Sequence, residues 1–206
     1  MKIELDKFES WIREMFSIQL HPQVCFHDLN HTLFIVEKVN ELGRYYQLPR
    51  EEMEDLFFAG WFHDIGYWDG DPVEHEAQGA EMAAGFLRNF EHEPERINRI
   101  TSAILATKMP QSPKNLFEQI LCDSDLYHLS SEQWYELTLL LKEEREVLIG
   151  DELNLVDWLK ISRDFVNSHQ YHTDYAKQYL EPKKRANLAK LDGIIHEMTT
   201  TNSTID

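Results

Sequence analysis

The sequence has few cysteines and no long apolar run, and these absences exclude several classes of protein. Its two cysteines, Cys25 and Cys122, lack the C-x-x-C spacing, so neither a disulfide framework nor a thiolate metal site is indicated. No apolar stretch approaches the ~18 residues that a membrane-spanning helix needs. The first residues, 1–6, lack the basic segment and the apolar core of a signal peptide. We therefore expect a cytoplasmic protein with no membrane partner.

Basic residues are also scarce, because 20 lysines and arginines face 37 acidic residues, giving a formal net charge of −17. Such a charge repels phosphate backbones, and beyond Lys183-Lys184-Arg185 we find no basic cluster that could overcome it. The sequence therefore predicts no nucleic-acid partner. A phosphate-ester substrate would need a metal ion or a few local cations in its binding site.

Strand-like alternation is missing over any five or more residues, whereas apolar stripes of helical period recur along the chain. Glycine and proline breaks divide these stripes into helices of ordinary length. The length of 206 residues suits one domain, and no break in composition argues for two. We predict an all-α, single-domain helical bundle over residues 1–198, with a polar tail at 199–206.

One helix is predicted to lie at the centre of this bundle. Its middle, Leu56 to Phe62, is apolar on every side, so it could not lie on a surface. Its last turn then carries His63 and Asp64 into the core. A buried carboxylate needs a partner. A divalent cation bound by imidazole and carboxylate would supply one, and so would a His-Asp hydrogen-bonded pair that caps the helix.

Two further helices place residues of the same types on apolar stripes. His31, on a helix that Asp28 or Asn30 can cap, shares its face with Ile35 and Val39. A lone histidine on such a stripe is more often a satisfied core residue than a ligand. Asp125 likewise follows an apolar stripe on a later helix. Four such groups meeting in a core would be hard to stabilise without a cation, because each carboxylate loses solvation.

The order H…HD…D formed by these residues resembles the HD superfamily of metal-dependent phosphohydrolases. Several short motifs are similar to one branch of it, the predicted metal-dependent HD phosphohydrolases. They are F-H-D-L-N-H at 26–31, F-H-D at 62–64, A-T-K at 106–108, C-D-S-D-L at 122–126, Y-H-T at 171–173 and R-A-N-L at 185–188. The resemblance covers roughly residues 20 to 192.

This resemblance implies a helical bundle of the HD-domain type and a divalent metal ion, with Mn, Fe, Ni, Zn and Mg not distinguished. The metal ligands that it implies are His31, His63, Asp64 and Asp125. Four more residues are expected to orient the ligands or to serve a second metal ion, namely His27, Asp28, His75 and Asp123. From helical spacing alone, Asp123 could equally be an ordinary acid on the helix surface.

The implied activity is hydrolysis of a small-molecule phosphoester, with a nucleotide among the candidates. The metal would activate a water molecule, and Asp64 would be both ligand and proton acceptor. Lys108 could neutralise the substrate phosphate, although it could also be a solvated lysine at a helix end. The alternative function is a non-catalytic regulatory module that binds a metal or a nucleotide.

The number of metal ions is predicted from what the sequence omits. HD proteins with two metals place further histidines between the HD pair and the last aspartate. Here Thr107-Lys108 stands where one is expected, and the segment 108–119 contains no histidine. We therefore expect one tightly held metal, with His75 orienting a ligand or acting on the substrate.

Overall fold

The computed structural model describes residues 4–69, 73–90 and 93–202. These residues form ten α-helices and two short 3-10 helices and contain no strand, which confirms the predicted all-α class. The chain divides into two compact units, Met1–Asp125 and Leu126–Asp206, and each is described by itself. The domain limits expected from the sequence, 1–198 and 199–206, stay a prediction.

The first unit contains six α-helices. They are α1 (Leu5–Gln19), α2 (Leu29–Tyr45), α3 (Arg50–Phe62), α4 (His75–Arg88), α5 (Pro94–Ala106) and α6 (Leu116–Asp125). A 3-10 helix, Ile65–Asp69, follows the HD pair directly after α3. The sequence predicts that a glycine- and proline-rich segment ends the helical region here. Residues 70–72 of this segment lie outside the described residues.

Helix α3 lies at the centre of the first unit, as its sequence predicts. It begins directly after Pro49 and carries Glu51 and Glu52 in its first turn, where acidic side chains interact favourably with the helix dipole. All but one of the residues from Leu56 to Phe62 are buried, and the helix packs against α2, α4, α5 and α6. Each buried aliphatic or aromatic side chain contributes about 1.5–3 kcal/mol relative to an exposed one. Packing on all sides therefore fixes the end of α3, where the HD pair lies.

A buried ion pair joins α3 to α5. The Asp55 side chain is fully buried, and its two carboxylate oxygens contact Arg96 and Arg99 respectively. The distance from Arg99 Nη2 to Asp55 Oδ2 is 2.7 Å. Because a buried charge without its partner is strongly destabilising, this cluster holds the two helices in register.

Glycine lets α4 approach the end of α3. A Cβ atom on Gly79 would lie 2.4 Å from the carbonyl oxygen of Phe62 and 3.1 Å from that of His63. A Cβ on Gly66 would lie 2.3 Å from the carbonyl oxygen of His75. The small residues on the fourth helix predict such a close approach, and Gly79 confirms it. The first turn of α4 is thereby held beside the HD pair.

The second unit contains four α-helices and one 3-10 helix. The α-helices are α7 (Trp134–Ile149), α8 (Leu155–Ser168), α9 (Asp174–Tyr179) and α10 (Glu181–Asn202), and the 3-10 helix is Leu126–Ser130. Trp134, Trp158 and Leu191 belong to its main apolar core. Helix α10 continues to Asn202, so the residues expected to begin a frayed tail are helical. None of the helices in the described residues is both long and apolar enough to cross a membrane.

Candidate metal centre

Asp28 fixes His31 at the beginning of α2. The carboxylate oxygen Oδ1 of Asp28 accepts a hydrogen bond from the backbone N–H of His31 over 2.9 Å. The other oxygen, Oδ2, accepts one from Asn30 Nδ2 over 2.8 Å. An N-cap of this kind contributes typically about 1 kcal/mol to helix stability. The predicted cap is confirmed, and Asp28 acts on His31 through the backbone.

His63 is fully buried at the end of α3 and is oriented by the helix itself. Its Nδ1 lies 2.8 Å from the carbonyl oxygen of Gly60. Since a carbonyl oxygen can only accept, Nδ1 carries a proton, and a neutral ring then leaves the Nε2 lone pair free. Ligating histidines are commonly held in this way, with one ring nitrogen donating and the other directed at the metal.

Four side chains converge at this point, namely His31, His63, Asp64 and Asp125, each offering one ligand atom within 4.8 Å of the others. Asp64 Oδ2 lies 3.0 Å from His63 Nε2 and 3.2 Å from His31 Nε2. His31 Nε2 and His63 Nε2 are 3.4 Å apart, and Asp125 Oδ1 lies 3.7 Å from His63 Nε2. Within the described residues, the buried Asp64 Oδ2 has no partner in hydrogen-bonding geometry.

These separations fit a common ion. Nitrogen and oxygen ligands about 2.0–2.2 Å from one metal lie roughly 2.8–3.6 Å apart at octahedral or tetrahedral angles between neighbouring ligands. The three distances among His31, His63 and Asp64 lie within that range, and Asp125 lies slightly beyond it. Two imidazoles and two carboxylates form a donor set that suits divalent transition metals. The buried Asp64 Oδ2 is the atom that such an ion would satisfy.

The electrostatics of the four groups also call for a cation. Burial and the charge of Asp64 raise the pKa of Asp125 to about 7. Burial lowers the pKa of His63, but Asp64 and Asp125 outweigh it and raise that pKa to about 9. Burial would raise the pKa of Asp64, yet the charge on His63 holds it well below its usual range. Without a cation, protons on Asp125 and His63 therefore compensate the buried negative charge, and a bound cation would replace them.

A second group of side chains lies beside Asp64. His75, the first residue of α4, places Nε2 3.5 Å from Asp64 Oδ1 and 3.4 Å from Glu76 Oε1. The ring of Tyr67 lies 4.3 Å from that of His75 and stacks on His27 at 3.9 Å, centroid to centroid. His75 therefore contacts the carboxylate oxygen that faces away from the two ring nitrogens of the cluster. The His27 ring also lies 5.6 Å from that of His31, centroid to centroid.

Two other predicted residues lie in different surroundings. Asp123 is fully buried, so its interpretation as a surface acid is wrong. Lys108 follows the end of α5 and pairs with Glu74, with 2.7 Å between Nζ and Oε1. The Lys108 side chain is half exposed. Among the described residues, it forms no ion pair with any of the four convergent side chains. Its partner Glu74 directly precedes His75 in the sequence.

Sequence reasoning did not identify two groups of the site, the Tyr67 ring and the Gly60 carbonyl. Glu76 is expected from the sequence to assist a second ion together with Glu74, but its burial depends on how α4 packs. Tyr67 gives no signal, because aromatic stacking between distant segments cannot be inferred from spacing. The Gly60 carbonyl could have been found, since it lies three residues before His63 on the same helix face.

Comparison with known proteins agrees with this fold. No protein-family model and no curated protein matches the sequence. Among solved structures, the chain is similar to the crystal structure of a predicted HD superfamily hydrolase from an uncultured Thermotogales bacterium. The two share 18% sequence identity with a TM-score of 0.58, and the match covers 96% of this chain and 92% of that one. The chain therefore shares the fold of that structure.

Proposed function

We propose that this chain is a metal-dependent hydrolase of a small-molecule phosphoester. The observation that carries the proposal is the convergence of His31, His63, Asp64 and Asp125 around one point in the first unit. The fold shared with a predicted HD superfamily hydrolase supports it. The net charge of −17 favours a small substrate over a nucleic acid. A cytoplasmic location remains a prediction from the sequence.

The four convergent residues would hold one divalent metal ion. When bound, such an ion lowers the pKa of a coordinated water and polarises a phosphoryl oxygen. Two imidazole nitrogens favour Mn, Fe, Ni or Zn over Mg, which prefers an all-oxygen environment. His63 would bind through Nε2, because its Nδ1 proton is held by Gly60.

The two oxygens of Asp64 are proposed to have different tasks. Oδ2 lies with the two ring nitrogens and would bind the metal, whereas Oδ1 lies near His75 Nε2. A carboxylate held in this way can accept the proton of the attacking water on one of its oxygens, while His75 orients the carboxylate. Lys108 would leave its partner Glu74 and contact the substrate phosphate instead.

Access to the centre supports catalysis over mere storage of a metal. The side chain of Asp125 is 18% exposed, whereas that of His63 is completely buried. The cluster is therefore covered on the side of α3 and partly exposed beside Asp125. A regulatory module that only binds a metal or a nucleotide remains the alternative, and turnover separates the two.

The test is a phosphate-release screen with nucleotides and phosphomonoesters, using protein loaded with each candidate metal. Activity should require metal and should be lost in His63→Ala and Asp64→Ala. The matched controls are His196→Ala and Asp192→Ala, which change the same residue types at exposed positions of α10. Both controls should retain activity. Metal binding without turnover of any phosphoester would favour the regulatory module.

A further inference from the structure

The second unit contains a cavity of about 230 Å³ that the proposed reaction does not use. It is lined by the end of α8, the connection to α9, and parts of α9 and α10. Sites for drug-sized ligands have volumes of about 300–1,000 Å³, so this cavity suits a smaller molecule. Val166 and Leu188 give it an apolar side, and the rest of the lining is mainly polar.

A buried lysine lies in the wall of this cavity. Lys184 is almost completely inaccessible, although lysine is rarely buried without partners. Its Nζ donates to the backbone oxygen of His169 over 2.5 Å and lies 2.9 Å from Glu181 Oε2 and 3.3 Å from His169 Nδ1. The Tyr171 ring lies 5.1 Å from the same ammonium. These contacts hold the Lys184 side chain beside the cavity.

The contact with Lys184 also fixes the state of His169. An ammonium group can only donate, so Nδ1 of His169 must accept, and a neutral ring then carries its proton on Nε2. Burial and the charge of Lys184 lower the pKa of His169 to about 3, so the ring stays neutral. Its Nε2 is buried and has no hydrogen-bond partner in the part of the chain that the structure describes. The wall thus contains an N–H donor that lacks an acceptor.

The charges lining the cavity are positive in excess. Lys177, Lys184 and Arg185 contribute three cations, and Glu181 contributes the one carboxylate among the lining residues. Glu181 is shared, because Oε1 lies 3.0 Å from Arg185 Nε while Oε2 faces Lys184. Lys177 forms no ion pair with any described residue. An excess of two positive charges therefore surrounds this cavity, on a chain whose net charge is −17.

We propose that this cavity binds phosphate, either as the inorganic ion or as the phosphate group of a small molecule. A phosphate dianion matches the excess of two positive charges. Lysine and arginine are the side chains that bind phosphate oxygens by charge-assisted hydrogen bonds. The cationic residues that bind the ligand are Lys177 and Arg185, with Lys184 fixed behind them.

The test is calorimetric titration of the full chain with inorganic phosphate. The double variant Lys177→Gln, Arg185→Gln changes two exposed side chains, so the fold is retained. We expect its Kd for phosphate to rise by at least about tenfold, because charge-assisted hydrogen bonds are lost. The matched control is Lys183→Gln, an exposed neighbour on α10 that does not line the cavity, and its Kd should change by less than about twofold.

The titration is repeated with His63→Ala, Asp64→Ala protein, which lacks two of the proposed metal ligands. Phosphate binding that persists there supports the cavity site, whether or not the chain proves to be a hydrolase. Binding that disappears there assigns the phosphate to the metal centre and overturns the proposal. The absence of binding in the unaltered chain, or equal binding by the double variant, also overturns it. A small phosphomonoester and malonate complete the series, and malonate binding as tight as phosphate binding would refute the phosphate assignment.

Discussion

Substituting Gly79 by alanine tests whether the close contact of α4 with α3 positions the site. The new Cβ would lie 2.4 Å from the Phe62 carbonyl oxygen, whereas ordinary contacts begin near 3.4 Å. The obstacle is backbone, so α4 must move away by about 1 Å. Overpacking of this kind costs typically about 1–3 kcal/mol of the free energy of unfolding. The same shift would carry His75 away from Asp64 Oδ1, which now lies 3.5 Å from its Nε2.

Gly85 offers a matched control on the same helix. A Cβ there meets nothing within 4 Å, so Gly85→Ala should stabilise the protein by about 0.4–1 kcal/mol through the unfolded chain. Urea unfolding measures both variants. Metal content should be retained in Gly79→Ala, because none of the four proposed ligands lies on α4. Hydrolytic activity should fall by up to about 100-fold, because His75 is displaced by about 1 Å.

The two glycine variants must differ for the reasoning to stand. If Gly79→Ala unfolds at the same urea concentration as Gly85→Ala, the close packing of α4 on α3 is not a determinant of stability. If metal is lost together with stability, the first turn of α4 supports the ligands themselves and not only His75.

Three further outcomes follow from the buried charges. Asp55→Ala should lower the free energy of unfolding by about 1.5–3 kcal/mol, measured in urea, because two partly exposed arginines lose the charge-assisted hydrogen bonds to their shared partner. Asp125→Ala should abolish tight metal binding by metal analysis, whereas Asp123→Ala should retain it; equal losses would remove the basis for choosing Asp125. Metal affinity, measured by calorimetry, should increase as pH rises through the pKa of Asp125 near 7 and that of His63 near 9, because the metal competes with the protons on both groups. An affinity independent of pH would contradict this competition.

The sequence predicts the centre of the first unit well because its signals are local. An apolar run that surrounds a helix can only be buried, so α3 and the burial of His63 and Asp64 follow from composition and period. The Asp28 cap follows from a side chain acting within one turn. The approach of α4 follows from its small residues, and Gly79 is where that approach is closest.

Other features depend on packing between distant segments and could not be predicted. Spacing places Asp123 and Asp125 on different helix faces, but α6 is covered on the Asp123 side as well, so Asp123 is fully buried whereas Asp125 is partly exposed. The stacking of Tyr67 on His27 joins a 3-10 helix to a segment about forty residues earlier in the chain. Two residues of the basic cluster Lys183-Lys184-Arg185 line the cavity in the second unit, namely Lys184 and Arg185, and the sequence does not distinguish them from Lys183. Only the fold directs Lys184 inward while Lys183 and Arg185 stay exposed.

Metal analysis of protein purified without chelators tests the central claim most directly. We expect one equivalent of a tightly bound divalent metal, lost in His63→Ala and in Asp64→Ala and retained in His196→Ala. His75→Ala should also retain one equivalent, because His75 contacts Asp64 Oδ1 and not the four-atom cluster. Full metal occupancy in either variant of the HD pair would contradict the account, as would two equivalents that fall to one in His75→Ala.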